Sequence, residues 1–124
     1  MGIRFFKIAL VYLVLGVALG IVLGITQKFQ FAPVHAHINL LGWATFALAG
    51  LIYVVFPQAA KTRLAVWQFW LQNIGVPIFI IGLTLLASGD GKALPFVIVG
   101  SLVTLLAVIT FLVNVFANVR EVTL

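Results

Sequence analysis

The chain has no cysteine, and Met1 is its only methionine. Thiolate metal sites, iron–sulfur clusters and disulfides are thereby excluded, as is thioether ligation from within the chain. Acids are nearly absent. Asp90 and Glu121 are the only two, which leaves no carboxylate pair for general acid–base chemistry. No carboxylate lies near a histidine in sequence, and Ser88 and Ser101 lack a local base, so no nucleophilic triad is encoded. Charged residues make up 7% of the 124 residues, against about 25% in soluble globular proteins. The net charge of +5 comes from seven basic residues. They stand singly at the ends of apolar runs, which is a membrane pattern and not a nucleic-acid footprint.

What is present is apolar: 65% of the residues are hydrophobic and the mean hydropathy is +1.31. Four stretches, 5–25, 33–56, 64–87 and 93–116, each reach the roughly 20 residues that a transmembrane helix needs. Short polar connections separate them: Thr26-Gln27-Lys28, Gln58 to Arg63, and Ser88 to Lys92. Such connections make sequential helices antiparallel neighbours. The expected fold is an all-α integral membrane four-helix bundle, one transmembrane domain over 1–124. Arg4 and Lys7 before an apolar run resemble a signal peptide. That run is too long and lacks a small-residue cleavage site, so it is expected to be a retained span.

Arg4, Lys7, Lys61, Arg63 and Arg120 fall on one side of the membrane, and Lys28 and Lys92 on the other. This bias predicts cytoplasmic termini in a bacterial-type inner membrane. In the first span Gly16, Gly20 and Gly24 share a face, where close helix packing within the chain is favoured over a subunit contact. Pro77 is expected to kink the third span.

His35 and His37 are the only histidines, and they sit where the second span enters the membrane, with Pro33 in its first turn. An imidazole there needs a partner, and a metal or heme is a common one. Residues two apart on a helix point about 200° apart, so the two rings face opposite sides and cannot both ligate one iron axially. Either each holds its own centre with a further ligand from elsewhere, or neighbouring copies share centres. A purely structural role is the competing reading: donation to a backbone carbonyl or to Asn39, four residues after His35. Copper or zinc held by both rings is weaker, because a helical His-x-His does not converge on one ion.

The second span resembles the tenth helix of the catalytic subunit of heme–copper oxygen reductases (cytochrome c oxidase subunit I). The shared frame runs His35-Ala36-His37, Phe46-Ala47 and Phe56-Pro57, then Ile74-Gly75 in the next span. Gln68-Phe69 stands where the family has a His-Phe pair. The resemblance covers about Val34 to Gly75 and implies heme ligation by His35 and His37, one heme on each side of the helix. No residue here corresponds to the family's copper ligands, so copper is not expected and no complete oxygen-reducing centre is encoded. Whether the chain is an enzyme stays open. The family's core repeats a four-helix unit around a pseudo-threefold axis. A homotrimer of this chain would resemble that core, with His35 of one copy and His37 of the next lining each gap.

Other polar residues carry secondary expectations. Trp43, eight residues after His35, would stack on a porphyrin or fill the bundle. Trp67 and Trp70 read as headgroup-level anchors, with Gln68 and Gln72 beside them bonding to loops or meeting a heme propionate. Asn114 and Asn118 would cap the fourth span or bond between helices. Lys28 and Lys92 could neutralise propionates, while the other basic residues set topology. The function expected is a membrane b-type cytochrome-like protein, binding heme b for electron transfer or diatomic gas binding, with an electron-transfer partner. The alternative is an accessory or assembly protein of a respiratory complex. A transporter is disfavoured, since the spans lack buried acids and a broken-helix pair.

Overall fold

The structure, a computed structural model, describes residues 1–121; the last three residues of the expected domain lie outside them. It is helical, and four helices are long and apolar enough to cross a membrane. We number them α1 (Gly2–Thr26), α2 (Phe29–Val55), α3 (Arg63–Ala87) and α4 (Leu94–Asn118). Helices α1 and α2 begin three and four residues before the predicted stretches, α4 ends two residues after its own, and the other ends agree within one residue.

Local chemistry sets the ends. Helix α1 stops at Gln27, whose left-handed backbone (φ 61°) returns its N–H to Leu23 O at 2.9 Å in the manner of an αL cap. Helix α2 stops at Phe56, held extended (φ −120°) by Pro57, since the residue before a proline is barred from the helical region. Thr62 caps α3 by accepting from Ala65 N at 3.2 Å. Helix α3 then closes at Gly89 (φ 103°), with Asp90 N donating to Leu85 O at 3.0 Å. Pro77 lies inside α3, and the helix runs unbroken past it.

Helix α2 is not uniform. A 3₁₀ turn (Phe29–Phe31) leads into an α-helical turn (Ala32–His37), a π-helical segment (Ile38–Ala44) and an α-helix (Thr45–Val55). Thr45 Oγ1 donates to Leu40 O, five residues back, at 2.8 Å. Gly42 lies in the π segment with the Tyr12 ring pressed against it, so that any side chain there would collide with the ring. Wide turns of this kind concentrate at functional sites, and this one begins one residue after His37.

The bundle is two hairpins. Helices α3 and α4 pack closely along their length, and α1 and α2 do the same. Glycines permit both approaches. Gly100 meets the Phe79 main chain, Gly75 meets Thr104, and Gly50 lies against Gly2 O. The hairpins stand further apart and are bridged by large side chains at the end carrying the termini. Phe5 is wholly buried against Phe46, Tyr53 and Phe69, and Tyr53 meets Phe111 edge-on at 5.7 Å.

Replacing Gly100 with Ala forces the Phe79 backbone away and should destabilise the α3–α4 hairpin by about 1–3 kcal/mol. Gly24 faces open space, so Gly24→Ala should leave stability unchanged or slightly raised. Thermal unfolding of both variants in detergent, followed by circular dichroism, checks the contrast.

Candidate functional site

The two imidazoles diverge as their spacing predicts. His35 turns into the α1–α2 seam and His37 turns toward α3 and α4. Every other feature of the site follows from that split.

On the seam side, His35 Nδ1 lies 2.8 Å from Gly16 O. A carbonyl can only accept, so Nδ1 carries the proton and Nε2 the lone pair. Asn39 Nδ2 sits 3.4 Å from that Nε2 and can donate to it. Gly16 leaves the space that the Asn39 amide occupies, and Gly20 leaves the space for the His35 ring; a Cβ on Gly20 would lie 2.7 Å from His35 Cε1. Two members of the glycine stripe thus serve packing within the chain, as expected. Gly24 has no neighbour within 4 Å. Both ring nitrogens of His35 are engaged by its own chain.

On the other side, His37 Nδ1 lies 2.6 Å from Pro33 O, one turn back. The same argument protonates Nδ1 and leaves Nε2 with a bare lone pair, and Nε2 has no hydrogen-bond partner among the described residues. The ring meets Phe79 edge-on at 5.0 Å. It lines a groove of about 280 Å³ with Leu40, Leu41, Ser101, Thr104, Leu105 and others. The two hydroxyls there are occupied: Ser101 Oγ donates to Ile98 O and Thr104 Oγ1 to Gly100 O, each at 2.8 Å. The imidazole is therefore the one uncommitted lone pair of a nitrogen base in an apolar groove. A histidine whose other nitrogen donates to a main-chain carbonyl has its tautomer and orientation set for metal ligation.

Trp43 is not part of this groove. It lines a different one, with Phe6, Ala47, Leu48 and Leu51. There it packs against the buried core, the bundle-filling role that the sequence allows. Asn39 is where the sequence places it, on the His35 ring.

The polar residues near the chain termini build a second, separate feature. Gln68 and Gln72 face the bundle interior and are wholly buried, with no exposure to loops. Tyr53, Gln68, Gln72 and Asn114 form one network. The Tyr53 hydroxyl donates to Gln68 Oε1, and Gln68 Nε2 donates to Gln72 Oε1 at 3.2 Å. Asn114 Nδ2 donates to the Tyr53 hydroxyl at 2.9 Å and to Ala59 O at 3.1 Å. Asn118 Nδ2 donates to Asn114 Oδ1 at 2.8 Å. Asn114 bonds between helices, as expected, whereas Asn118 bonds only to Asn114, one turn back in the same helix. Tyr53, the hub, was not singled out from sequence. Its signal was a lone phenol in an apolar span, since a buried hydroxyl requires a partner. Gln72 Nε2 is left without a partner among the described residues. Gln68 spends both its amide oxygen and its amide nitrogen on this network.

The chain matches no family model, no curated protein and no solved structure. The likeness to heme–copper oxygen reductases accordingly rests on the residues of Val34 to Gly75 alone.

Tyr53→Phe removes one hydroxyl and strands both Gln68 Oε1 and one proton of Asn114 Nδ2. It should lower stability by about 1–2 kcal/mol while leaving the histidine end unchanged. Chemical or thermal unfolding in detergent micelles, read against wild type, measures the loss.

Proposed function

We propose that this chain is a membrane-embedded heme-binding protein, b-type cytochrome-like, for electron transfer or diatomic gas binding. One observation carries the reading. The Nδ1 proton of His37 is committed to Pro33 O at 2.6 Å, and its Nε2 opens on an apolar groove between α2 and the α3–α4 hairpin. Neutral imidazole with a tethered Nδ1 is the form that ligates iron. The donor atom and its apolar surroundings would suit heme, with His37 as the residue that would hold its iron. Heme bound there would supply one-electron chemistry or an open coordination position for a gas. The chain's own residues do the remaining work. Pro33 O fixes the ring tautomer and Phe79 supports its orientation. Leu40, Leu41, Leu105 and Val108 give the groove an apolar lining, which would strengthen polar contacts around a group held there.

The groove, at about 280 Å³, falls below the roughly 300–1,000 Å³ of sites that enclose a ligand. The rest of the macrocycle must be covered from outside the chain. A homo-oligomer does this, and the trimer implied by the family resemblance is the form we favour. His35 could ligate a second heme through Nε2 only by giving up the Asn39 amide, its Nδ1 bond to Gly16 O being kept. We also read the chain as a bacterial-type inner-membrane protein with both termini in the cytoplasm, on the five-to-two distribution of basic residues.

A second reading draws on His35, whose nitrogens are both satisfied internally, as a structural histidine's would be. An accessory or assembly protein of a respiratory membrane complex needs nothing more of the pair.

Protein purified with haemin available should show a Soret band. His37→Ala should abolish it, whereas His35→Ala should first loosen the α1–α2 seam and lower thermal stability. A colourless wild type that copurifies with larger respiratory subunits would reject the heme reading in favour of the accessory one.

A further inference from the structure

Helices α1 and α3 start at the same end of the bundle and run parallel, with Phe5 and Phe69 in edge-to-face contact at 5.3 Å. Deeper in, they part to leave a groove of about 420 Å³, lined by Ile8, Val11, Leu15, Pro77, Ile80 and Ile81 among others. This is within the size range of ligand pockets, roughly 300–1,000 Å³. On α3 the lining continues outward as one stripe at alternating four- and three-residue spacing: Ile81, Pro77, Ile74, Trp70, Trp67, Arg63. On α1 the matching stripe is Leu15, Val11, Ile8, Arg4. Residues at these spacings share a helix face.

Both stripes change character in the same direction, from aliphatic to cationic, and α3 places two indoles between. Trp67 and Trp70 are 66% and 59% exposed, and neither indole N–H has a partner among the described residues. The Phe5–Phe69 contact sets Arg4 at the depth of the two indoles, and Arg63 lies about 9 Å further out at 1.5 Å per residue. Both arginines are exposed. Glu121 is the only acidic side chain at this end of the bundle, against five basic ones.

We propose that this groove and the stripe above it bind one anionic phospholipid. An acyl chain lies along Ile81, Pro77 and Ile74. The phosphate meets Arg4 and Arg63, and the indole N–H groups donate to its ester and phosphate oxygens. The charge favours an anionic headgroup over a zwitterionic one, as arginine forks favour phosphate. Lys61 and Arg120 share this end of the bundle but lie on neither stripe of this groove, so they add general attraction and no part of this site.

The test uses full-length protein with Trp43→Phe, so that emission comes from Trp67 and Trp70 alone. It is reconstituted in phosphatidylcholine vesicles doped with brominated phosphatidylglycerol or brominated phosphatidylcholine. Stronger quenching by the brominated phosphatidylglycerol is expected. The preference should fall on the order of fivefold for each of Arg4→Gln and Arg63→Gln, and should persist in Lys61→Gln and Arg120→Gln. Equal quenching by the two lipids, or equal loss in all four variants, overturns the site. Native mass spectrometry of the wild type from a mixed bilayer reads the same point without substitution. One retained phosphatidylglycerol per chain supports the proposal, and none, or phosphatidylcholine retained as readily, refutes it.

Discussion

Helices α1 and α2 approach closely enough for a ring nitrogen on one to reach a main-chain carbonyl on the other. That approach exists because Gly16 and Gly20 have no side chains: the Asn39 amide and the His35 ring occupy the space that two Cβ atoms would take. In a bilayer no water can replace a lost polar contact. The His35–Gly16 bond therefore fixes both the rotation of α2 and, through the helix, the direction in which His37 points. The groove side of the molecule is set by what happens on the seam side.

The polar content of the bundle is divided between its two ends. At one end stands the histidine pair, with one imidazole spent on packing and the other left with a free lone pair. At the other end Tyr53 joins α2 to α3 and α4 through Gln68 and Asn114. The aliphatic middle between them has little to specify register, because lipid tails are as apolar as the leucines they meet and drive no burial. Glycine contacts and these two polar clusters supply the specificity that hydrophobic sorting would give a soluble protein. The same division explains why the hairpins can stand apart in between and leave grooves open to the membrane.

Much of this was legible from the amino acids. Four spans, antiparallel order, the divergence of His35 from His37, the Asn39 neighbour and the packing role of Gly16 and Gly20 all follow from 1.5 Å rise, 100° rotation and the size of glycine. What could not be read were features that depend on which helix lies beside which. Gln68 and Gln72, flanked by tryptophans, read as interfacial residues, yet they turn inward, where Tyr53 of α2, itself held by Asn114 of α4, meets Gln68. Nor does the sequence mark the change of winding within α2. The π segment arises from the Tyr12–Gly42 contact and the Thr45 hydroxyl, both of which are tertiary circumstances.

That π segment also gives α2 some slack in length. The wide turns of Ile38–Ala44 hold one residue more than a regular helix would fit in the same rise. Loss of the surplus residue would let the stretch wind as an ordinary helix, with the turns on either side keeping nearly their present bearings. Loss of a residue from the regular winding of Thr45–Val55 has no such cushion and would swing His35 and His37 by about 100° relative to the lower half of the helix. Chain length is thus buffered in one stretch of α2 and rigidly counted in the next.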